Sequence, residues 1–289
     1  MTSEIIKTST ENNGATTTLS TDNMYNGIRD ESFKNLLTTI LKRGKVSQEV
    51  IDVLLDEEGM KLYDIAFTHP SIDLENNYEY LEFLGDSVVN TAIVWYIARR
   101  FKKLQGSNGV KVLARLKINL ISKKSFADCA QRLRLWDYVS CSETVRMTNK
   151  KKVLEDVFEA FFGVTTFLMD NKIFNCSGYA VVYAIVSSLF DEIEISLRYE
   201  DLFDARTRIK EIFDCNKDLG KLEYITVKDI NNLFTSKAML VKQDGSQAYL
   251  GMGTGNTKVD SIQNASEQAI YTLKTMGIQM TIKPEYRDL

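Results

Sequence analysis

The chain carries the stretch Glu79-Tyr-Leu-Glu-Phe-Leu-Gly-Asp86 at the start of an apolar-rich run that ends at Trp95. Its carboxylates, at Glu79, Glu82 and Asp86, are spaced three and four residues apart. At about 100° per residue they fall within roughly 60° on one face of a helix. Carboxylates on an apolar helix are costly unless their charge is compensated. The stretch therefore predicts a core helix with a functional acidic face.

A second apolar helix with paired acids is predicted downstream, in Leu154-Glu-Asp-Val-Phe-Glu-Ala-Phe-Phe-Gly163, where Asp156 and Glu159 lie three residues apart. No Lys or Arg stands inside either motif to offset the charge. Carboxylate oxygens that converge on one point suit Mg²⁺ or Mn²⁺. The two motifs together predict a metal cluster of the kind that supports phosphodiester hydrolysis.

These motifs resemble those of the ribonuclease III family of double-stranded RNA endonucleases. The stretch from Glu79 to Ser87 resembles the family signature, and Leu154 to Gly163 resembles its second acidic motif. Thr68-His-Pro-Ser71 looks like the family's short Thr-His-x-Ser element, and Leu113 to Val139 is similar to its intervening helices. The resemblance runs from about Ile65 to Met169 and implies an all-α catalytic domain.

The resemblance also implies roles for individual acids. It implies that Glu82, Asp156 and Glu159 bind metal, and that Asp86, together with Glu159, takes part in the chemistry. Glu79 is expected to contact substrate. Mg²⁺ is the expected cofactor, with Mn²⁺ able to substitute. The expected products carry a 5′-phosphate and a 3′-hydroxyl, with short 3′ overhangs.

Composition limits how such a protein could hold RNA. The formal net charge of −3 and the pI near 5.5 are not those of a typical nucleic-acid binder, so affinity must come from local patches and bound metal. Four cysteines without short paired spacing are expected to be reduced thiols. We expect a soluble, intracellular protein, in cytoplasm or nucleus, because the chain begins without an apolar signal and its weakly charged run at 176–190 is too short to span a membrane. That run is predicted to be a buried helix.

The sequence predicts a multidomain chain of α and α+β domains. Residues 1–28, rich in Thr, Ser and Asn, are predicted to be a disordered tail. Residues 29–200 show helical apolar spacing throughout and are predicted to be the all-α catalytic domain, with 105–110 as its main loop.

The second domain, predicted at 201–278, resembles the double-stranded RNA-binding domain in its α-β-β-β-α order, and 279–289 is expected to be a tail. Asp204 is a plausible N-cap of its first helix. Strands are predicted at 222–227, 234–241 and 248–251, with a hairpin turn at 243–246 and a last helix at 261–276. The glycines at 251–255 are expected to form a tight loop over an RNA groove, or merely a turn.

Several polar side chains are candidates for contact with RNA. In the second domain they are Arg206, Lys210 and Glu211 of the first helix, and Lys258, the residue that remains of the family's basic cluster. Because acids and bases are nearly balanced there, the domain is predicted to orient duplex RNA more than to anchor it.

Basic residues of the first domain allow two interpretations. Lys150, Lys151 and Lys152 could contact phosphate or form a solvated charge run, and the same alternatives hold for Arg115, Lys117, Lys123 and Lys124. His69, the only histidine, is expected to be a hydrogen-bonded packing residue, and Gly85 is expected to permit close helix packing.

The prediction that follows is a Mg²⁺-dependent endonuclease for double-stranded RNA. It would act as a homodimer through the catalytic domain, because one chain holds one acidic cluster and a duplex has two strands. The alternative is a non-catalytic double-stranded RNA-binding protein that sequesters duplexes or has a structural role. No acidic residue of the motifs is missing, which favours the enzyme.

Overall fold

The computed structural model describes residues 23–278, together with 282 and 286. Its elements in chain order are β1 (Met24–Tyr25), α1 (Glu31–Arg43), α2 (Gln48–Leu54), α3 (Glu57–Ala66), α4 (Glu79–Arg100), α5 (Ser107–Leu120), α6 (Lys123–Arg132), β2 (Cys141–Ser142), α7 (Glu143–Thr148), α8 (Lys150–Lys172), α9 (Gly178–Asp191), α10 (Tyr199–Leu202), α11 (Ala205–Cys215), β3 (Lys221–Lys228), β4 (Phe234–Val241), β5 (Gln247–Gly255) and α12 (Lys258–Thr275).

Two hydrophobic cores divide these elements. One core lies among the helices up to Leu202 and also includes Tyr286, and the second lies among α11, α12 and the sheet, beginning at Ala205. The first unit is therefore mostly helical, as the apolar spacing predicts. Among the described residues, every helix is too short or too polar to cross a lipid bilayer.

Helices α4 and α8 form the centre of the first unit, with α3, α6 and α9 packed around them. Their backbones touch at two glycines. A Cβ on Gly85 would lie 1.8 Å from the carbonyl oxygen of Glu159, and one on Gly163 would lie 1.9 Å from that of Leu81. Only glycine fits at either position, so the prediction that Gly85 permits close helix packing is confirmed.

Ordered structure extends nearer to the N-terminus than predicted. Met24 and Tyr25 pair with Ser142 and Cys141 in the two-stranded sheet, and the guanidinium of Arg146 lies 3.6 Å from the Tyr25 ring centre. The prediction of disorder up to residue 28 is therefore wrong for residues 23–28, because a backbone pair and a cation–π contact hold them. Residues 1–22 of the predicted tail lie outside the described part of the chain.

The predicted loop at 105–110 is shorter than expected. Helix α5 begins at Ser107, which leaves Gln105 and Gly106 as the connection. Gly109 lies within the first turn of the helix, where a Cβ would come within 2.1 Å of the carbonyl oxygen of Leu104. The glycine therefore serves close backbone contact rather than a loop. The apolar run at 176–190 forms the buried helix α9, as predicted.

The second unit has a three-stranded antiparallel sheet in the order β3-β4-β5, against which α12 packs. Its elements follow one another as α-β-β-β-α, as predicted. The Asp204 side chain caps α11 by accepting a hydrogen bond from the Thr207 N–H at 2.8 Å. Gly245, at φ 82°, makes the predicted turn between β4 and β5.

The glycines at 251–255 do not form a loop or turn, contrary to the prediction. They continue strand β5 to Gly255 and face α12. A Cβ on Gly253 would lie 2.2 Å from the backbone nitrogen of Ala265. The glycines are therefore explained by the close approach of a helix to a strand.

Candidate metal centre and nucleic-acid interface

Three carboxylates converge where α4 and α8 touch. Glu82 comes from α4, and Asp156 and Glu159 come from α8. One oxygen of each lies within 4.8 Å of the others, and the two residues of α8 are buried. The glycine contact described above brings the acidic faces this close, because Gly85 meets the backbone of Glu159 itself.

The local environment disfavours negative charge on Glu82 and Glu159 when no cation is present. Burial, reinforced by Asp86 and neighbouring acids, raises the pKa of Glu159 to about 8. Burial and the charge of Asp156 raise the pKa of Glu82 to about 7, although Lys152 acts in the opposite direction. The donor set consists of carboxylate oxygens alone, and their negative charges repel one another unless a cation neutralises them. Such a set fits a hard divalent cation.

Lys152 lies inside this cluster, contrary to the prediction that no cation offsets the acids. Its ammonium donates a hydrogen bond to Oδ1 of Asp156, and Nζ lies 3.5 Å from Oε1 of Glu82. Burial alone would lower its pKa, but the Asp156 hydrogen bond and the surrounding carboxylates raise it above the usual value. Lys152 stands four residues before Asp156, a spacing that places both side chains on the same face of a helix. In the sequence prediction Lys152 entered only as part of the run of three lysines, so this spacing was not used.

The neighbouring lysines have different surroundings. Lys150 places its Nζ 5.3 Å from the Trp136 ring centre, and Lys151 is exposed in the first turn of α8. They are near the cluster in sequence, but only Lys152 of the three pairs with its carboxylates among the described contacts.

Asp86 and Glu79 lie beside the three-carboxylate group rather than within it. Asp86 is exposed, and Asn90 donates a hydrogen bond to its Oδ1 at 2.7 Å. Its charge contributes to the raised pKa of Glu159. Glu79 is exposed at the first turn of α4.

A buried tyrosine also reaches the cluster, and no sequence argument singled it out. Tyr78 donates a hydrogen bond from its hydroxyl to Oδ2 of Asp156 at 3.0 Å. The ring of His69 meets the Tyr78 ring edge-on, and its Nδ1 accepts a hydrogen bond from the Ser71 N–H at 2.9 Å. The prediction of His69 as a hydrogen-bonded packing residue is confirmed.

Arg115 holds the link between the two units. Its Nε donates to the carbonyl oxygen of Leu202 at 2.7 Å, and its guanidinium lies 4.7 Å from the Phe203 ring centre. The side chain of Arg115 is thus engaged with the segment between the two units, and its contact with RNA stays a prediction. Lys123 pairs with Glu155 at 3.3 Å, next to the acidic cluster.

In the second unit, three of the four predicted contact residues are exposed. Arg206 and Lys210 are exposed on α11, beside a cleft that Lys217 and Lys221 also line. Lys258 is exposed in the first turn of α12. Glu211 instead accepts a hydrogen bond from the Tyr199 hydroxyl of the linker.

Comparisons with known proteins show the family to which this chain belongs. The family model described as Ribonuclease III domain matches residues 79–168, which include all three converging carboxylates. The chain is 37% identical over 264 residues to a protein of Invertebrate iridescent virus 6 that is provisionally assigned as a ribonuclease 3. That alignment covers 86% of this chain and 90% of the viral protein.

A bacterial relative, the ribonuclease 3 of Halalkalibacterium halodurans, is 27% identical over 252 residues, covering 82% of this chain and 89% of its own length. The nuclease domain of ribonuclease III from Campylobacter jejuni, a solved structure, aligns with 58% of this chain and 100% of its own at 24% identity and a TM-score of 0.43. The family model and the viral and bacterial relatives define a ribonuclease. The chain belongs to the ribonuclease III family, which confirms the resemblance predicted from its motifs.

Proposed function

We propose that the protein is an endoribonuclease that hydrolyses double-stranded RNA with the help of divalent metal ions. The observation that carries this proposal is the convergence of Glu82, Asp156 and Glu159 within 4.8 Å. Membership of the ribonuclease III family supports the choice of substrate. Mg²⁺ is the proposed cofactor, and Mn²⁺ is expected to replace it, because both favour oxygen ligands.

The three converging carboxylates would hold the metal. When bound, the ion would supply an activated water and neutralise charge on the phosphodiester. Burial of Asp156 and Glu159 excludes solvent from two of the proposed ligands. Asp86, which is exposed and accepts a hydrogen bond from Asn90 at one oxygen, would accept a proton from the attacking water. The products proposed are a 5′-phosphate and a 3′-hydroxyl.

We further propose that two chains act together through the helical unit. One chain brings one carboxylate cluster, and cutting both strands of a duplex needs two. Helix α4 exposes large apolar side chains beside its acids, with Phe83 72% and Tyr80 63% exposed. Such side chains on a surface suit burial against another protein. A homodimer built there would place its clusters across a minor groove and yield short 3′ overhangs.

Residues 201–278 are proposed as a double-stranded RNA-binding domain, residues 29–200 as the catalytic domain and 279–289 as a tail. The α-β-β-β-α order supports the first assignment. Arg206, Lys210 and Lys258 are exposed and would contact phosphates, which position a duplex without reading its sequence. Glu211 is a weaker candidate because its carboxylate engages Tyr199. Glu79, Lys150 and Lys151 remain proposed substrate contacts of the catalytic domain.

Cleavage of long duplex RNA by the purified full-length protein tests this function. We expect cutting in Mg²⁺ or Mn²⁺, none in excess EDTA, and recovery when the metal is restored. Product ends are then sequenced for 5′-phosphates and 3′ overhangs. Tight duplex binding without cleavage in any metal would contradict the proposal and favour the non-catalytic RNA-binding alternative.

A further inference from the structure

The two carboxylate oxygens of Asp156 have different partners. Oδ2 accepts a hydrogen bond from the hydroxyl of Tyr78 at 3.0 Å. Oδ1 accepts a hydrogen bond from the ammonium of Lys152. The Nζ of Lys152 also lies 3.5 Å from Oε1 of Glu82. One oxygen is thus bound to an uncharged buried donor, and the other is bound to the ammonium of Lys152, which also approaches Glu82.

Tyr78 is buried, and both polar groups of its backbone are hydrogen-bonded. The residue is 3% exposed and lies at the start of α4, where its carbonyl oxygen accepts the Glu82 N–H at 2.8 Å. Its own N–H donates to the carbonyl oxygen of Thr68 at 3.0 Å. The same residue is therefore tied by its backbone to one proposed ligand, Glu82, and by its side chain to another, Asp156.

The Thr-His-Pro-Ser element forms the wall behind this ring. The ring of His69 meets that of Tyr78 edge-on, with 5.6 Å between centroids. The Ser71 N–H donates to Nδ1 of His69, and the Ser71 hydroxyl accepts the Ser142 N–H, both at 2.9 Å. A chain of hydrogen bonds thus runs from strand β2 to the histidine whose ring supports Tyr78.

We propose that Tyr78 is a positioning residue for Asp156, and that the Thr-His-Pro-Ser element exists in this chain to hold it. The phenol fixes the rotation of the carboxylate so that Oδ1 points at the metal. This inference rests on the proposed function, because it assigns Asp156 to the metal. Groups that orient a metal ligand through a hydrogen bond are worth about 10- to 100-fold in metal affinity or activity.

The test compares Tyr78→Phe with Tyr63→Phe in the full-length protein. Tyr63 is the matched control, because it is also buried in the first core and its hydroxyl pairs with Thr165 at 3.0 Å, away from the acids. Each variant loses one buried phenol hydrogen bond and keeps its ring. Mn²⁺ binding is measured by titration calorimetry without RNA, and unfolding in EDTA is measured alongside.

We expect Tyr78→Phe to weaken Mn²⁺ binding by about 10-fold, while Tyr63→Phe leaves it unchanged. Both variants should lose similar stability in EDTA. Cleavage by Tyr78→Phe should fall at low Mg²⁺ and largely recover at high Mg²⁺, with duplex binding unchanged. As a second variant, Ser71→Ala keeps the Tyr78 phenol but removes the hydroxyl that links His69 to strand β2. It should also weaken Mn²⁺ binding, by a smaller factor than Tyr78→Phe.

Three outcomes decide the matter. Wild-type Mn²⁺ affinity in Tyr78→Phe, in a protein whose cleavage depends on metal, overturns the inference and leaves the proposed function standing. An equal loss of affinity in Tyr63→Phe overturns it too, because general loosening would then explain the effect. A wild-type protein that binds no Mn²⁺ and cuts in EDTA overturns the proposed function itself, and the inference with it.

Discussion

Lys152 donates a hydrogen bond to Oδ1 of Asp156, one turn further along α8, so a lysine of the chain reaches the oxygen that we assign to the metal. The same ammonium lies 3.5 Å from Glu82 and 3.9 Å from Glu155. The ammonium therefore offsets part of the negative charge of these buried and half-buried carboxylates.

Lys152→Met should destabilise the metal-free protein by about 1 kcal/mol, because buried carboxylates lose a cation that is itself half exposed. The loss should shrink in saturating Mg²⁺, since the ion supplies the missing charge. Urea unfolding in EDTA and in Mg²⁺ measures both values, with Lys151→Met, an exposed neighbour, as the control. Equal destabilisation with and without Mg²⁺ would contradict this account of Lys152.

Gly85→Ala should damage fold and site together. The new Cβ would meet the carbonyl oxygen of Glu159 at 1.8 Å, so α4 and α8 must move apart. Overpacking of this kind costs about 1–3 kcal/mol or more, and the proposed ligands would separate with the helices. The control is Gly106→Ala, where no atom lies within 4 Å of the added Cβ and the backbone is extended. A Gly85→Ala protein with normal melting temperature and normal Mn²⁺ binding would refute this.

The stability of the metal-free protein should fall as the pH rises from about 5 to 8. Glu159 and Glu82 have pKa values of about 8 and about 7 in the folded chain, above the ordinary 4.5. In that window the folded protein therefore holds more protons than the unfolded chain, so raising the pH favours unfolding. Urea midpoints in EDTA across the window measure the slope.

Two changes should flatten that pH dependence. Glu159→Gln removes one of the titrating groups, and saturating Mg²⁺ replaces the protons with a cation, so its binding should release protons. Glu57→Gln, at an exposed acid of α3, is the control and should leave the slope unchanged. A metal-free protein whose stability rises steadily from pH 5 to 8 would show that these carboxyls are not protonated in the fold.

The second unit should contribute few phosphate contacts. Replacing Arg206, Lys210 and Lys258 together by Ala should weaken duplex binding, and the slope of log affinity against log salt should fall by about 1 for each phosphate that is no longer neutralised. Filter binding at several salt concentrations measures the slope, with Lys274→Ala, in the last turn of α12, as the control. An unchanged slope in the triple variant would mean that other residues hold the duplex.

The sequence was sufficient to predict the acidic centre because its information is local. Helical spacing places Glu79, Glu82 and Asp86 on one face, and a second motif supplies Asp156 and Glu159. The structure brings three of these five together. Which three depends on the depth of each side chain in the α4–α8 contact, and spacing along one helix does not determine that depth.

Features that depend on contacts between distant segments escaped prediction. Tyr78 meets Asp156 across 78 positions of sequence, and Met24 finds Ser142 only when the chain is folded. The glycines of β5 show the same difficulty. A Gly-rich stretch is typical of a loop, but here Gly253 accommodates the backbone of α12, which no local pattern reveals.

Cleavage of duplex RNA by Glu159→Gln tests the proposed metal-dependent nuclease at its centre, because this variant keeps the size of the side chain and removes one proposed ligand charge. Cleavage and binding are measured on the same duplex in Mg²⁺, beside the wild type and Glu57→Gln. We predict a fall in cleavage of orders of magnitude with duplex binding retained, since phosphate contacts elsewhere supply the affinity. Cleavage by Glu159→Gln at near the wild-type rate would contradict the assignment of these carboxylates to the metal.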